Sequence, residues 1–247
     1  MGDVSTRILL LLFGVVLLAA EPAGAWDLRT DPPREDFVAF HDRFSSSAYF
    51  YPRHSAKPLG WTGFEIWGDL SIDPGFGDES FAQTTIDGDL PGDALSFVRV
   101  GVRKGLPRGF DLGLAYGRTV DGGLELVSGE LGWALVRGGT VKPSVGFRLT
   151  GTQTLDDGLD AGSYELDQYG LELLASKGFP LVTIFGGAGV VRSESTLDRT
   201  LGGRLSEETT HEVLFAGVTL KLLLPRLTFS LEQGEELQGA VRLGFGF

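Results

Sequence analysis

The chain of 247 residues contains no cysteine, a single methionine and three histidines. Without cysteine it has no disulfide bonds, no thiolate zinc sites and no cysteine nucleophile. It also contains no G-x-S-x-G, H-E-x-x-H or P-loop pattern, so the sequence indicates no cofactor and no catalytic motif. Positive charge is scarce as well: the net charge of −12 argues against a nucleic-acid partner.

Long hydrophobic runs are missing except for one near the N-terminus, from Ile8 to Ala20. This run of thirteen residues is shorter than the roughly 20 that a membrane-spanning helix needs. Arg7 precedes it, and the small residues Ala23–Ala25 follow it. The pattern predicts a secretory signal peptide over residues 1–25, cleaved after Ala25. No cysteine follows the run, which excludes a lipid anchor at that point.

Glycine, in contrast, is abundant, with 37 residues, or about 15% against a usual share of about 7%. The chain has no collagen period, and its hydrophobic fraction of 42% is too high for a disordered chain. The glycines are therefore expected inside ordered structure, in twisted, closely packed strands and their turns.

Ten segments in which apolar and polar residues alternate recur from Leu59 to the end of the chain. This period of two is typical of β-strands with two different faces. Strands are stable in lipid only in a closed barrel, where every backbone N–H and C=O group has a partner. The sequence therefore predicts an all-β fold: a transmembrane antiparallel β-barrel of about ten strands over residues 59–247, after a short N-terminal helical segment. The predicted strands are Leu59–Ser71, Ala94–Lys104, Phe110–Thr119, Leu124–Arg137, Val141–Thr152, Glu165–Lys177, Leu181–Ser193, Thr210–Leu223, Arg226–Gln233 and Leu237–Phe247.

The connections between these segments alternate in length, as they do in bacterial barrels with short periplasmic turns and longer outer loops. Residues 104–109, 137–140, 176–180 and 223–226 form the short set, whereas residues 72–93, 153–164 and 194–210 form long loops. The short turns are basic and the long loops acidic, which a simple solvated loop would also explain. An even strand number places both termini in the periplasm.

The two faces of the predicted strands differ in chemistry: one is apolar, and the other carries charges and glycines. The apolar face is expected in lipid, because a basic side chain there costs roughly 2 to 4 kcal/mol at the midplane. The six acids and five bases on the other face nearly balance, which fits a salt-bridged core as well as a narrow conduit. These lumen charges are Glu65, Asp69, Arg99, Arg103, Asp111, Glu130, Arg148, Glu172, Lys221, Glu232 and Arg242.

The last strand ends on Phe247, with Val241, Leu243 and Phe245 at alternate positions before it. It resembles the sorting signal of outer-membrane β-barrel proteins, although Arg242 stands where a glycine is often found. The resemblance is architectural and covers residues 59–247. It implies a porin-like bacterial outer-membrane protein that is recognised by the barrel-assembly machinery. Its expected surroundings are outer-membrane lipid and lipopolysaccharide, and a monomer is expected.

Residues 26–58 precede the barrel. Phe37, Phe40, Phe44 and Ala48 have helical spacing after two prolines, with acids in the first turn, which predicts a short amphipathic helix. Its apolar face needs a cover. Three arrangements remain open: a plug inside the lumen, a position on the periplasmic rim, or a contact with a periplasmic partner.

The polar residues of the outer loops suggest two minor hypotheses. A hydrolase at the rim would use His211 with Ser206 or Ser193, whereas the other two histidines, His41 and His54, are expected on the periplasmic side. A calcium site would use loop carboxylates, although plain solvation explains them better and no metal site is predicted. These weak metal candidates are Asp87, Asp89, Asp93, Asp156, Asp157 and Asp160.

The sequence therefore favours a non-enzymatic barrel with a structural role, or with a narrow passage for ions or small solutes. The alternative is a surface binding or adhesion module that uses the acidic, calcium-compatible outer loops. A rim hydrolase is the third hypothesis.

Overall fold

The structure, a computed structural model, is a closed barrel of ten antiparallel strands. It describes residues 27–29, 31–87, 93–120, 124–139, 141–156, 163–199, 203–222 and 225–246. Each strand pairs with its neighbours in sequence, and the last strand pairs with the first, so the predicted fold class is confirmed. The strands are β1 Phe64–Asp73, β2 Leu95–Gly105, β3 Phe110–Thr119, β4 Glu125–Val136, β5 Ser144–Asp156, β6 Tyr164–Gly178, β7 Val182–Asp198, β8 Arg204–Lys221, β9 Pro225–Gln233 and β10 Leu237–Gly246.

The alternation of residue types explains which side chains of each strand point to the outside of the barrel and which to the inside. On β3, which pairs with β2 and β4, Leu112 and Leu114 are exposed on the outside of the barrel, whereas Asp111 is buried on the inside. The outward aliphatic side chains of the other strands continue this apolar surface around the barrel; Leu149 and Leu171 are examples. Closure gives each strand two neighbours, which is the condition for placing the sheet in lipid.

One predicted long loop is wrong. Residues 194–210 were expected to form an outer loop, but β7 continues to Asp198 and β8 begins at Arg204, so the connection is only residues 199–203. The pairing of β7 and β8 is unbroken along this stretch. The reason is that the alternation persists: Leu197 and Leu205 pack inward, whereas their neighbours Asp198 and Arg204 are exposed.

The barrel has two different ends. The short-turn end comprises the connections 106–109, 137–143, 179–181 and 222–224, and the long-loop end comprises the connections 74–94, 120–124, 157–163, 199–203 and 234–236. The longest connection, residues 74–94, contains a one-turn helix, α2, at Ala82–Thr85. A two-residue strand at Ile86–Asp87 in the same connection pairs with Asp27–Leu28.

The predicted N-terminal helix is present as α1, Arg34–Ala48, which begins after Pro33 and carries Glu35 and Asp36 in its first turn. Its position corrects the expectation that both termini lie at the periplasmic end. The helix and Asp27–Leu28 lie at the long-loop end, whereas β1 starts and β10 finishes at the short-turn end. No helix among the described residues is long and apolar enough to cross a membrane.

An aromatic core at the long-loop end covers the apolar face of α1. Phe40 stacks on Phe44 with ring centroids 5.1 Å apart, and both rings contact Phe76 and Tyr164 edge to face. The inward face of the strands was expected to be polar or glycine, and at this end that expectation is wrong. Apolar residues occupy it because they pack against the helix; they include Leu95, Phe97, Leu126, Leu166, Leu197 and Leu205.

Candidate functional site

The lumen of the barrel contains residues 34–59 of the same chain, here called the lumen segment. Its side chains or backbone make hydrogen bonds or ion pairs to all ten strands, and the contact with β8, between Arg34 and Glu207, lies at the exposed start of the segment.

Eleven residues, 49–59, lie between α1 and the lower end of the segment, and at about 3.3 Å each they span at most about 36 Å. Bends at His54, Ala56 and Lys57 shorten this path. Because Arg43 binds Asp73 at the end of β1 and Leu59 binds Asp111 at the start of β3, the segment runs from the long-loop end to the short-turn end, where β1 begins.

At the long-loop end of the lumen, an ion pair between Arg43 and Asp73 joins α1 to β1. The Arg43 guanidinium donates two hydrogen bonds to the Asp73 carboxylate, at 3.0 and 2.8 Å, and both side chains are buried. Ser47 also donates to Asp73. Because such two-point contacts of arginine with a carboxylate fix orientation as well as distance, they set the position of the helix on the wall.

Two glutamines of the wall bind the end of the helix. Gln168 on β6 donates to the carbonyl of Ser45 at 2.7 Å, and Gln238 on β10 donates to the carbonyl of Ser46 at 3.1 Å. Carbonyl groups in the last turn of a helix have no partner within the helix. The two amide side chains supply that partner from the wall, so α1 ends without an unpaired carbonyl at these positions.

Tyr49 is the first residue after α1 and contacts the middle of the wall. Its hydroxyl donates to Glu172 on β6 at 2.8 Å and lies 2.8 Å from the hydroxyl of Thr150 on β5. The tyrosine ring passes directly over Gly170, where a Cβ would collide with its hydroxyl. Glycine at this inward position is therefore a requirement of the contact with the lumen segment.

Arg53 forms the most complete ionic contact of the lumen segment. Its guanidinium donates to both oxygens of Glu232 on β9, at 2.6 and 2.7 Å, and lies 3.0 Å from Asp69 on β1. All three side chains are buried. Burial of a charge is costly unless it is paired and hydrogen-bonded, and here one cation from the segment pairs with two wall carboxylates, while Arg99 also lies 3.9 Å from Asp69.

Residues 54–59, at the short-turn end of the lumen segment, are also bound by polar side chains of the wall. The His54 ring lies 2.8 Å from Glu130 on β4 and also contacts Arg103 on β2. Further along, the backbone N–H of Ala56 donates to a serine hydroxyl of β6, and that of Leu59 donates to Asp111 on β3 at 3.0 Å. Wall side chains thus bind the segment along its whole length.

Ten of the eleven charges predicted to face the lumen are buried inside the barrel; Lys221 is half-buried at the short-turn end. The shortest pairs within the wall are Arg148 with Glu172 and Arg103 with Glu65. Arg99 lies 3.9 Å from Asp69 and Arg242 lies 3.9 Å from Glu65, and both also donate to backbone carbonyls of the lumen segment. The buried charges are Glu65, Asp69, Arg99, Arg103, Asp111, Glu130, Arg148, Glu172, Glu232 and Arg242.

Sequence reasoning did not identify Arg53, Tyr49 or Asp73 as part of this site. A signal for Arg53 exists, because it is a lone cation after the aromatic stretch Tyr49–Tyr51, and a charge in apolar surroundings needs a partner. The sequence offers no comparable signal for the partner, since Arg53 and Glu232 are 179 residues apart.

The histidines correct the hydrolase hypothesis. His41 lies at the long-loop end and not on the periplasmic side, and its Nδ1 is 2.6 Å from the hydroxyl of Ser195 on β7. His211 on β8 faces inward, while Ser206 is exposed on the opposite face of the same strand. Ser193 accepts a hydrogen bond from Gln168 at 2.9 Å. The predicted pairs of His211 with a serine are therefore not formed.

The contact of His41 with Ser195 is fully buried, so it joins α1 to β7 inside the protein. Burial, reinforced by the charge of the neighbouring His211, lowers the pKa of His41 to about 4. The ring is therefore neutral at physiological pH. In an unfolded chain the same ring would be half-protonated near pH 6.5.

Replacement of His41 by glutamine is expected to weaken the pH dependence of stability. A pKa lowered on folding means that the unfolded state binds the extra proton, so the contribution is complete above pH 6.5 and decreases as the pH falls towards 4. At pH 5 this loss amounts to about 2 kcal/mol. Denaturant unfolding in lipid vesicles at pH 7.5 and pH 5 measures it. An equal loss in the wild type and in His41→Gln would contradict the assignment.

The loop carboxylates do not form a metal site in the part of the chain that the structure describes, where no group of three potential ligands occurs. Asp87 and Asp93 are exposed, and they flank the undescribed residues 88–92. Asp89, Asp157, Asp160 and the side chain of Asp156 lie outside the described residues.

The predicted sorting signal lies on β10. Val241, Leu243 and Phe245 share the outward face, whereas Arg242 is buried in the lumen, where its guanidinium lies 3.9 Å from the centre of the Trp67 ring. Arg242 also donates to the carbonyl of Pro52 at 3.0 Å. Its place in the strand is thus explained by the lumen segment. Phe247 lies outside the described residues.

A closed antiparallel barrel with an even number of strands, an apolar outside and a polar inside is the architecture of bacterial outer-membrane proteins. The protein has the fold of a transmembrane β-barrel.

Comparisons with solved structures find similar barrels at low sequence identity. The chain is similar to the N-terminal β-barrel domain of Pseudomonas aeruginosa OprF, with 13% identity, a TM-score of 0.36, and coverage of 76% of this chain and 99% of that one. It is also similar to LpxR from Salmonella typhimurium, with 11% identity, a TM-score of 0.38, and coverage of 73% and 99%. A third is the translocator domain of the autotransporter NalP from Neisseria meningitidis, with 11% identity, a TM-score of 0.37, and coverage of 87% and 94%. No protein-family model matches the chain, and no curated protein matches it significantly.

Proposed function

We propose that this protein is a sealed outer-membrane barrel, in which the lumen segment is a permanent plug and the role is structural or in binding at the two ends. It is neither a conduit nor an enzyme in this proposal. The observation that carries it is the contact of Arg53 with Glu232 and Asp69 in the middle of the lumen.

The chemistry of the segment supports a plug that stays in place. A movable gate would have to separate two wall carboxylates from a guanidinium with which they now form buried ion pairs. Breaking a buried ion pair by removing one partner costs about 3 to 5 kcal/mol, and Arg53 has two such partners. Arg43 with Asp73 adds a second buried pair at the upper end. Spontaneous withdrawal of the segment is therefore strongly disfavoured.

The buried state of the histidine and serine side chains supports a non-enzymatic role. His41 and Ser195, which are in contact, are covered by α1 and the wall and expose almost no surface. A nucleophile and its base must reach a substrate to act on it.

Single-channel recording of the intact, refolded protein in a planar bilayer tests the proposal. A sealed barrel is expected to show no stable unitary openings over the range of voltages that the bilayer tolerates. A stable open level in every insertion would refute the plug.

A further inference from the structure

The short-turn end of the barrel contains a partly open cavity of about 690 Å³. The lower part of the lumen segment, from Arg53 to Leu59, forms its inner wall, and turn residues such as Gly138 and Pro180 form its rim. Cavities of roughly 300 to 1,000 Å³ are the size that proteins use for small ligands. Because the lumen segment closes its inner side, a ligand would enter and leave through the short-turn end.

The charge of this cavity is strongly one-sided. Among the residues that line it, Glu65 is the single acid. The bases are seven: Arg53, Lys57, Arg103, Lys142, Lys221, Arg226 and Arg242. Arg53 is paired with Glu232 and Asp69, which leaves six bases against Glu65. The protein as a whole is acidic, with a net charge of −12, so the cavity departs from the character of the chain.

Glu65 does not neutralise the guanidinium groups around it. Three of them share its carboxylate: Arg103 at 3.0 Å, Arg226 at 3.5 Å and Arg242 at 3.9 Å. Two nitrogen atoms of this group, Nε of Arg103 and Nη2 of Arg242, are buried and have no hydrogen-bond acceptor among the described residues. Buried donors without a partner are rare, and they indicate a ligand or a water at the site.

The lysines add uncompensated charge at the mouth. Lys57, Lys221 and Arg226 all line the cavity, and their like charges repel one another. Within the described part of the chain, no carboxylate lies at ion-pair distance from Lys57, Lys142 or Lys221, and the amine of Lys221 donates to the carbonyl of Phe179 at 3.0 Å. An anion in the cavity would relieve this repulsion and accept hydrogen bonds from the guanidinium groups.

We propose that the cavity at the short-turn end is a binding site for a small anion with two or more phosphate or carboxylate groups. Two charged groups are required because the cations form two sets, the guanidinium groups deep in the cavity and the lysines at its mouth. Hydroxyl groups of the wall, among them Ser176 and Thr228, complete the polar lining. The site goes beyond the plug proposal: it holds a ligand at the sealed end without a passage through the barrel.

Titration calorimetry of the refolded, full-length protein with inorganic pyrophosphate at low ionic strength tests the site. We expect saturable one-to-one binding that weakens at least tenfold in the double variant Lys57→Gln/Lys221→Gln. The matched control is Arg108→Gln, which removes an exposed positive charge from a turn at the same end but outside the cavity lining. Binding by the control is expected to stay within twofold of the wild type. Unchanged far-ultraviolet circular dichroism verifies that each variant keeps its barrel.

The source of the anion is decided by competition. Displacement of pyrophosphate by detergent-dispersed cardiolipin, a lipid whose headgroup carries two phosphate groups, would assign the site to an anionic lipid headgroup, whereas binding that persists would assign it to a soluble anion. Both results support the site. The proposal is overturned if pyrophosphate does not bind, or if Arg108→Gln weakens binding as much as the double variant, because diffuse rim charge would then explain the effect.

Discussion

Deletion of residues 26–58 is expected to convert a non-conducting barrel into one with resolved unitary openings. The wall should still close, because the ten strands pair with each other and not with the lumen segment. The inward side chains that the segment now covers, such as Asp69 and Glu232, would then face water. Planar-bilayer recording of the deleted and intact proteins measures the difference.

The matched control for this deletion is removal of residues 26–33 alone. That shorter deletion stops before α1, so every contact from Arg43 to Leu59 is kept, and the barrel is expected to stay closed. If the two deletions open equally, or if neither opens, the lumen segment is not what closes the barrel. Circular dichroism verifies that each deleted protein retains its β-structure.

Replacement of Arg53 by methionine is expected to reduce the free energy of unfolding by about 3 to 5 kcal/mol. The change leaves the carboxylates of Asp69 and Glu232 buried without their shared cation. Methionine fills most of the space of the aliphatic stem, so the loss reports mainly on the charge. Denaturant unfolding in lipid vesicles, followed by tryptophan fluorescence, measures it.

Two further variants make the Arg53 prediction specific. Arg34→Met removes an arginine that pairs with Glu207 at the exposed surface. The free energy of unfolding is expected to change by less than about 1 kcal/mol in this variant. Adding Glu232→Gln to Arg53→Met should recover part of the lost stability, because it removes one of the two unpaired charges. An Arg53→Met protein within 1 kcal/mol of the wild type, on the scale of exposed pairs, would contradict the account.

The barrel itself could be predicted because its signal is local and repeated. A strand in lipid must alternate, and a slip by one residue would put Glu130 or Arg148 on the apolar side. Both residues indeed face inward. The wrong prediction of a loop at residues 194–210 also follows from reading only local residue types. The ends of β7 and β8 are rich in serine, threonine and glutamate, and such polar strand ends are indistinguishable in the sequence from a polar loop.

The contents of the lumen could not be predicted to the same depth. The sequence indicates a helix that needs a cover, but the direction of the segment is set by contacts far apart in the chain, such as Tyr49 with Thr150 and Glu172. An even number of strands fixes the end of the barrel at which β1 begins, but it says nothing about the residues before β1. The near balance of charges counted on the wall was also incomplete, because it left out Arg53, a cation of the lumen segment that pairs with two wall acids.

The central claim is that the lumen segment passes through the barrel, so that α1 lies at the outer end. The cysteine-free chain allows a direct test by labelling of whole cells with a membrane-impermeant maleimide. Glu35→Cys, in the exposed first turn of α1, should react in intact cells, and Val141→Cys, in an exposed short turn, should react only after the outer membrane is opened. Protection of Glu35→Cys in intact cells, with reaction only after opening, would contradict the claim.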